Sequence, residues 1–290
     1  MPRPTRKNPD DLRTGSAIVA TMTDPERTPG RRTSGRPGFV AGFAVAVAFL
    51  TRIPVGEPRA VDEPGANGWA LADTAWAFPL VGAGIGAVAA IVFLAAQLAG
   101  LGDWPAALLA ILAGLLLTGA LHEDGLADSA DGLFGGSDRE HRLAIMRDSR
   151  HGSFAVLALV LSVGLRAAAL AQTGEAVFAG LALVAAHAGS RALLAAAMWA
   201  LPPARGDGLG AAAGRPRSAT VVAALVIAFA IGAAALGPMH GTIAIAIAAP
   251  AVAIAATTAR RRIGGYTGDT LGAFQQIGEI AILLAATGLR

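Results

Sequence analysis

The stretch FPLVGAGIGAVAAIVFLAAQLAG occupies residues 78–100 and contains no charged side chain. A helix needs about 20 apolar residues, each rising about 1.5 Å, to cross the hydrocarbon layer of a bilayer. The stretch therefore predicts a membrane-spanning helix. Its segment GAGIGA (82–87) has the glycine density of a dinucleotide-binding loop, but no strand precedes it. We interpret these glycines as positions where a neighbouring helix approaches closely.

Comparable apolar segments recur along the chain, at about 39–51, 105–122, 153–172, 176–201, 219–238, 240–259 and 276–289. Hydrophobic residues make up 54% of the 290 residues and charged residues only 15%. This composition is typical of polytopic membrane proteins. We predict an all-α, polytopic helical membrane protein with about seven spanning helices. The first and last segments are short for a span, so a re-entrant or interfacial segment is expected at 39–51.

Residues 1–37 differ from the rest of the chain, because they are rich in Pro, Arg, Thr and Gly. Their lack of apolar periodicity predicts a disordered basic N-terminal tail, followed by one helical transmembrane domain at 38–290. The net charge of +3 comes partly from this tail, so we expect no nucleic-acid partner. The chain has no cysteine, and its single lysine is Lys7. Thiol nucleophiles and a lysine base in the transmembrane domain are therefore excluded.

The linkers between the apolar segments fall into two alternating groups. Arginines occur in the linkers at 123–152, 202–218 and 260–275 and are absent from those at 101–104, 173–175 and 238–240. The positive-inside rule places the arginine-bearing linkers on the cytoplasmic side of the membrane. If the basic tail lies on the same side, segment 39–51 cannot cross the membrane once. It would then enter and return, or lie in the interface.

The first arginine-bearing linker begins with an acidic motif, LHEDGLADSADG (121–132). On a helix continuing the preceding span, Asp124, Asp128 and Asp131 lie within about 60° of one another, whereas Glu123 points about 100° away. Three adjacent carboxylates repel one another, and a hard divalent cation such as Mg²⁺, Mn²⁺ or Ca²⁺ would neutralise them. The motif therefore predicts a metal site. The alternative is a solvated loop that ends the helix at its glycines.

An arginine-rich stretch follows, and it contains Arg147, Asp148 and Arg150. Carboxylates beside several arginines suit phosphoryl transfer, because a metal ion and guanidinium groups together stabilise phosphate charge. The alternative is that these arginines only anchor the protein on its cytoplasmic side.

Two further polar positions lie in or next to apolar segments. Asp269 lies in the stretch RRRIGGYTGDTLGAFQQIGE (260–279), just before the last apolar segment, and Arg191 lies within another segment one turn from His187. Ionisable residues at membrane depth are candidates for function. The alternative for Asp269 is a role as a helix cap.

Seven stretches, taken in order from about residue 39 to the C-terminus, resemble the cobalamin synthase family, the adenosylcobinamide-GDP ribazoletransferases of bacteria and archaea. They are FLTRIPV (49–55), FPLVGAGIGA (78–87), HEDGLADSADGLFGG (122–136), IMRDSRHGSF (145–154), SRALLA (190–195), DGLG (207–210) and GGYTGDTLGA (264–273). The third and seventh stretches are the most specific for the family.

The resemblance implies a multi-pass, Mg²⁺-dependent enzyme of the bacterial cytoplasmic (inner) membrane, with its active site facing the cytoplasm. It would join adenosylcobinamide-GDP to α-ribazole or α-ribazole 5′-phosphate and release GMP, as a late step of cobalamin biosynthesis. The catalytic and metal-binding residues implied are Asp124, Asp128 and Asp131, and Glu123 is a further implied metal ligand. The substrate-binding candidates are Arg147, Asp148, Arg150, Asp269 and Arg191. The oligomeric state stays open, a homo-oligomer included.

Two other functions remain as alternatives. A CDP-alcohol phosphotransferase uses aspartates for comparable chemistry, but the full D-G-x-x-A-R signature of that family is absent here. A membrane transporter or channel would place its carboxylates near the middle of the bilayer, whereas the acidic motif lies at a cytoplasmic end.

Overall fold

The computed structural model describes residues 38–55 and 70–289. The tail 1–37 that we predict to be disordered lies outside the described residues. Within them the chain forms one 3-10 helix and eleven α-helices. The 3-10 helix is Leu71–Ala77, and the α-helices are α1 (Phe39–Leu50), α2 (Phe78–Leu98), α3 (Asp103–Thr118), α4 (Leu121–Gly135), α5 (Arg139–Ile145), α6 (Ser153–Ala171), α7 (Ala176–Ala200), α8 (Gly208–Ala213), α9 (Ser218–Leu236), α10 (Pro238–Ile263) and α11 (Gly268–Gly288).

The predicted all-α, polytopic membrane fold is confirmed. Six helical stretches are long and apolar enough to cross a membrane: the 3-10 helix joined to α2, and α6, α7, α9, α10 and α11. A seventh span results if α3 and α4, which are bent by 92° at their junction, are counted as one broken span. Helix α1 is shorter than a span, as predicted for segment 39–51.

The junction of α3 and α4 corrects one part of the sequence-based interpretation. We expected the acidic motif to continue the span at 105–122 and then to form a long loop. Instead α3 ends at Thr118, and both Gly119 (φ 67°) and Ala120 (φ 58°) adopt the left-handed conformation, which no α-helix can contain. The acidic motif therefore forms a separate helix, set almost at right angles to the preceding one.

The last span is longer than the segment 276–289 suggested. Helix α11 begins at Gly268, because the Thr267 hydroxyl accepts a hydrogen bond from the Thr270 backbone N–H and caps the helix. The cap is thus Thr267, and the alternative reading of Asp269 as the capping residue is wrong. Asp269 lies in the first turn of α11.

Helices α7 and α11 form the centre of the domain. Helix α7 packs against α2, α9 and α11, and α11 also packs against α4 and α10. The glycines of α2 allow the closest of these approaches: a Cβ at Gly86 would lie 2.7 Å from the carbonyl oxygen of Leu183, and one at Gly82 would overlap the backbone of His187. The helix-packing interpretation of GAGIGA is therefore confirmed for Gly82 and Gly86, whereas a Cβ at Gly84 would meet open space.

The three arginine-bearing linkers meet at one end of the helices. Arg139 donates hydrogen bonds to the carbonyl oxygens of Ile263, at the end of α10, and of Ala204, in the linker after α7. Arg262 in turn donates to the carbonyl oxygen of Leu133 in α4. The relative sidedness predicted from the arginine pattern is thus present in the fold.

Candidate active site

A cavity of about 200 Å³ opens at this same end of the domain. Helices α4 and α11 contribute Asp124 and Asp269 to its lining, and the linker after α7 contributes Arg205 and Asp207. Apolar side chains complete the lining: Phe49, Leu50, Phe78, Leu121, Leu194, Met198 and Leu271. The cavity therefore combines a charged part with an apolar part.

Two glycines bring the two aspartate-bearing helices together. A Cβ at Gly125 of α4 would lie 2.6 Å from the carbonyl oxygen of Asp269, and one at Gly272 of α11 would lie 3.0 Å from that of His122. Larger residues would push α4 and α11 apart. The small residues thus place Asp124 and Asp269, which are far apart in sequence, on one cavity.

The three predicted aspartates lie on one helix, α4, at the spacing that groups them on one side. Asp124 is exposed and Asp128, one turn later, is half-buried. Asp128 interacts electrostatically with Asp124, Asp131 and Asp269, so negative charge from α4 and α11 converges around it. The Nδ1 atom of His151 lies 3.9 Å from an Asp128 carboxylate oxygen.

Asp131 has a different environment from the other two aspartates. It is buried, and its two carboxylate oxygens accept hydrogen bonds from the backbone N–H groups of Gly152 and Ala155. These groups lie at the start of α6, where backbone donors have no partner within the helix. Asp131 therefore joins α4 to α6, while its predicted role as a metal ligand stays a prediction.

Glu123 and Arg191 do not lie with the aspartates. Glu123 is buried, and one of its carboxylate oxygens lies 3.1 Å from Nη1 of Arg166. Arg191 is also buried, and its Nη1 lies 2.9 Å from Nδ1 of His187. The helical spacing that turned Glu123 away from the aspartates is confirmed. Both residues instead belong to a polar cluster in the interior.

We call this set the buried charge cluster; it contains Glu123, Arg166, His187, Arg191, Gln275, Gln276 and Glu279. Glu279 connects its members, because one of its oxygens lies 3.1 Å from Arg166 Nη1 and the other lies 3.1 Å from His187 Nδ1. The cluster surrounds a space of about 10 Å³, and His122 lines both this space and the large cavity. Arg166 is not among the residues selected from the sequence, although an arginine within segment 153–172 is a signal of function or pairing.

The linker after α7 adds charged residues that we did not select. Nη2 of Arg205 donates to the Leu143 carbonyl oxygen and lies 4.0 Å from an Asp269 carboxylate oxygen. Burial lowers the pKa of Arg205 from its usual value, and Asp269 partly offsets that effect. Asp207 accepts hydrogen bonds of 2.8 and 2.9 Å from Arg147. The glycine-rich stretch DGLG (207–210) was the available signal for this linker.

Asp148 and Arg150 form an exposed pair with each other. The Asp148 carboxylate accepts hydrogen bonds from the side chain of Arg150 and from its backbone N–H. The side-chain bond, followed by the weaker effect of the backbone bond, lowers the pKa of Asp148 to about 2. Neither residue lines the cavity.

Carboxylate oxygens are suitable ligands for a hard cation such as Mg²⁺. Within residues 38–55 and 70–289, however, no group of three or more acidic or histidine side chains is close enough to form a complete metal site. Proteins bind Mg²⁺ through one or two carboxylates together with substrate phosphates, rather than through a complete cage of side chains. Asp124, Asp128 and Asp269, with their convergent negative charge, fit a site of that incomplete kind.

Comparisons with known proteins identify the family of the chain. The family model described as cobalamin-5-phosphate synthase matches residues 42–287. Proteins named adenosylcobinamide-GDP ribazoletransferase are similar over most of their length: one from Bradyrhizobium diazoefficiens is 46% identical over 87% of this chain and 95% of its own, and one from Mesorhizobium japonicum is 43% identical over 84% and 92%. No solved structure matches the chain. The chain belongs to the cobalamin-5-phosphate synthase family.

Proposed function

We propose that this protein joins adenosylcobinamide-GDP to α-ribazole, or to its 5′-phosphate, and releases GMP. The observation that carries the proposal is the cavity in which Asp124 and Asp269 meet Arg205 beside an apolar wall. A diphosphate needs cations and positive side chains, whereas a nucleoside base needs an apolar surface. The relatives named above carry the name of this reaction.

The reaction exchanges one phosphorus–oxygen bond for another. A ribose hydroxyl oxygen attacks the phosphorus that carries the cobinamide, and the bond from that phosphorus to the bridging oxygen breaks. GMP leaves with the bridging oxygen, and the hydroxyl loses its proton. Phosphoryl transfer of this kind depends mainly on positioning and on stabilising negative charge.

Asp124, Asp128 and Asp269 are the residues that would hold Mg²⁺ at the charged part of the cavity. When bound, the ion would neutralise the diphosphate oxygens and orient them. Asp131 and Glu123, the other predicted ligands, are engaged with backbone N–H groups and with Arg166, respectively. We therefore assign the metal-binding role first to the other three carboxylates.

Arg205 is the cation that best stabilises the diphosphate. It lines the cavity, and its buried Nε atom has no hydrogen-bond partner within the described residues. Arg147 lies one step further away, paired with Asp207 on the lining. Exchange of that pairing for a phosphate oxygen would bring Arg147 to the substrate. Asp148 and Arg150, which are exposed and paired with each other, would contact the part of the substrate that lies outside the cavity.

The proposed location is the cytoplasmic membrane of a bacterium, with the cavity facing the cytoplasm. The multi-pass topology is supported by the spanning helices, and the orientation by the arginine-bearing linkers at the cavity end. Nucleotide substrates are available on that side of the membrane.

The proposal can be tested with the full chain in lipid nanodiscs. Adenosylcobinamide-GDP and α-ribazole should yield GMP in the presence of Mg²⁺, and EDTA should stop its release. Asp128→Asn should lower kcat by at least about 100-fold, because one of the three carboxylates proposed to hold the metal is lost. Asp103→Asn, the same change at the exposed start of α3, is the matched control and should leave kcat unchanged. GMP release that persists in EDTA would refute the metal assignment.

A further inference from the structure

The apolar part of the cavity has the size and chemistry of a binding site for one flat ring system. At about 200 Å³ the whole cavity is smaller than the ~300–1,000 Å³ typical of sites for drug-sized ligands. A corrinoid is much larger than such ligands, so the cobinamide must lie outside the cavity. Only a fragment of either substrate, such as one base, fits inside.

The apolar wall comes from three helices. Phe49 and Leu50 belong to α1, Phe78 to α2, and Leu194 and Met198 to α7. The ring of Phe49 is half-buried, and it stacks on the fully buried ring of Phe78 with centroids 5.9 Å apart. Aromatic and aliphatic side chains in this arrangement favour a flat aromatic ligand, which gains both stacking and burial.

The polar side chains of the lining give few free hydrogen bonds to such a ring. The Tyr266 hydroxyl donates to the carbonyl oxygens of Gly210 and Gly214. The Thr267 hydroxyl donates to Asp269 and accepts from the Thr270 backbone N–H. Apart from His122, the remaining polar side chains form the charged part: Asp124, Arg205, Asp207 and Asp269.

The scarcity of free hydrogen-bonding groups favours one of the two bases of the proposed reaction over the other. Guanine has several donors and acceptors, and their burial without partners costs free energy. A benzimidazole riboside has one unsubstituted ring nitrogen and no exocyclic donor, so it loses little on entering an apolar wall. The attached ribose would then reach toward the aspartates.

We infer that Phe49, packed against the buried side chains of Leu50, Phe78, Leu194 and Met198, binds the aromatic base of the nucleoside substrate and selects benzimidazole-like bases over purines. The inference rests on the proposed function. It also gives the short helix α1 a role, since α1 closes the cavity with Phe49.

The test compares Phe49→Ala with Phe43→Ala. Phe43 lies on the same helix but is exposed and does not line the cavity, so it is a matched control. Phe49→Ala should raise the KM for a benzimidazole α-riboside about tenfold, as expected for the loss of one stacking contact. The KM for adenosylcobinamide-GDP should change by less than about twofold, and Phe43→Ala should match the wild type. Met198→Phe, which narrows the cavity, should raise the same nucleoside KM.

Equilibrium dialysis of the riboside alone with the wild-type protein gives a readout that does not depend on turnover. Binding that weakens in Phe49→Ala, together with weaker binding of an adenine α-riboside to the wild type, would support the inference. A rise in the KM for adenosylcobinamide-GDP instead, or no change in either KM, would overturn it. Absence of GMP release from the wild type despite riboside binding would refute the proposed function and leave the base site standing.

Discussion

The buried charge cluster makes a prediction about stability that can be worked out from its contacts. Glu279 in α11 is 2% exposed, and its carboxylate lies 3.1 Å from Arg166, 3.1 Å from His187 and 4.0 Å from Arg191. With neutral histidines, the two arginines of the cluster balance Glu123 and Glu279. Glu279→Gln removes one negative charge and leaves two buried arginines facing a single carboxylate.

The expected loss of stability is large. Removal of one partner of a buried ion pair costs roughly 3–5 kcal/mol, because the remaining charge stays buried without compensation. Glutamine retains an oxygen that can accept from Arg166, so we expect the low end, about 3 kcal/mol. Because about 1.4 kcal/mol corresponds to a factor of ten, the folding equilibrium should shift by about 100-fold.

The assay is reversible unfolding in mixed micelles of increasing SDS content, followed by circular dichroism. Glu140→Gln, the same substitution on the exposed helix α5, is the control and should shift the free energy of unfolding by less than about 0.5 kcal/mol. The double variant Arg166→Gln/Glu279→Gln restores the charge balance. It should therefore lose at least about 1 kcal/mol less than the sum of the two single variants.

A double variant that loses as much stability as the two single variants together would refute this reasoning. It would mean that Arg166 and Glu279 do not stabilise each other's charge. A loss below about 1 kcal/mol for Glu279→Gln would do the same. It would place the cluster among the membrane polar contacts that contribute little, since the unfolded chain in the membrane also finds partners.

Three further predictions concern single contacts. Asp131→Asn should lower the free energy of unfolding by about 1–3 kcal/mol in the same assay, because one buried backbone N–H at the start of α6 loses its acceptor; an unchanged value would contradict the structural role. Gly86→Ala should lower the thermal midpoint by forcing α2 and α7 apart, whereas Gly84→Ala, which meets open space, should not; equal midpoints would show that the close approach is unimportant. Because Arg150 holds the pKa of Asp148 at about 2, the pairing should be complete above about pH 4 and should be lost as the pH falls through 2; in Arg150→Gln, carboxyl NMR should give a midpoint near 3.9 instead.

The spanning helices were predictable from the sequence because the physical requirement is local. A helix that crosses a bilayer must be apolar over about 20 consecutive residues, and residues 78–100 satisfy that requirement without any partner. The meeting of the arginine-bearing linkers at one end of the helices was predictable for the same reason, since arginines mark a linker individually. Gly82 and Gly86 could likewise be assigned to packing, because no strand precedes them.

The break between α3 and α4 could not be predicted in this way. In the sequence, Gly119 cannot be distinguished from the other glycines in apolar segments. Ala120 is a strong helix former, yet its φ is 58°. The left-handed conformation of an alanine costs roughly 1–2 kcal/mol, so tertiary contacts must favour it. One such contact is the hydrogen bond from the Arg52 backbone N–H to the carbonyl oxygen of Leu117 in the last turn of α3, which has no sequence signal.

The candidate site was partly predictable. Helical spacing alone placed Asp124 and Asp128 together and turned Glu123 aside. The partners of these residues depend on the tertiary fold: Asp269 and Arg205 reach the cavity from α11 and from the linker after α7. The pairing of Arg166 with Glu123 joins α6 to α4, and each residue alone has several chemically acceptable partners.

The acidic motif contributes both to the cavity and to the buried charge cluster, and helix α4 places these two contributions on different sides. One side of the helix presents Asp124 and Asp128 at the cavity end, while Glu123 on another side bonds to Arg166 and Gln276 in the interior. The 92° bend before α4 turns this helix out of the line of α3, and α4 packs against α11. Charge at Glu123 should therefore govern the stability and placement of α4, whereas charge at Asp124 should govern turnover. A Glu123→Gln variant that retained full stability but lost activity would contradict this separation.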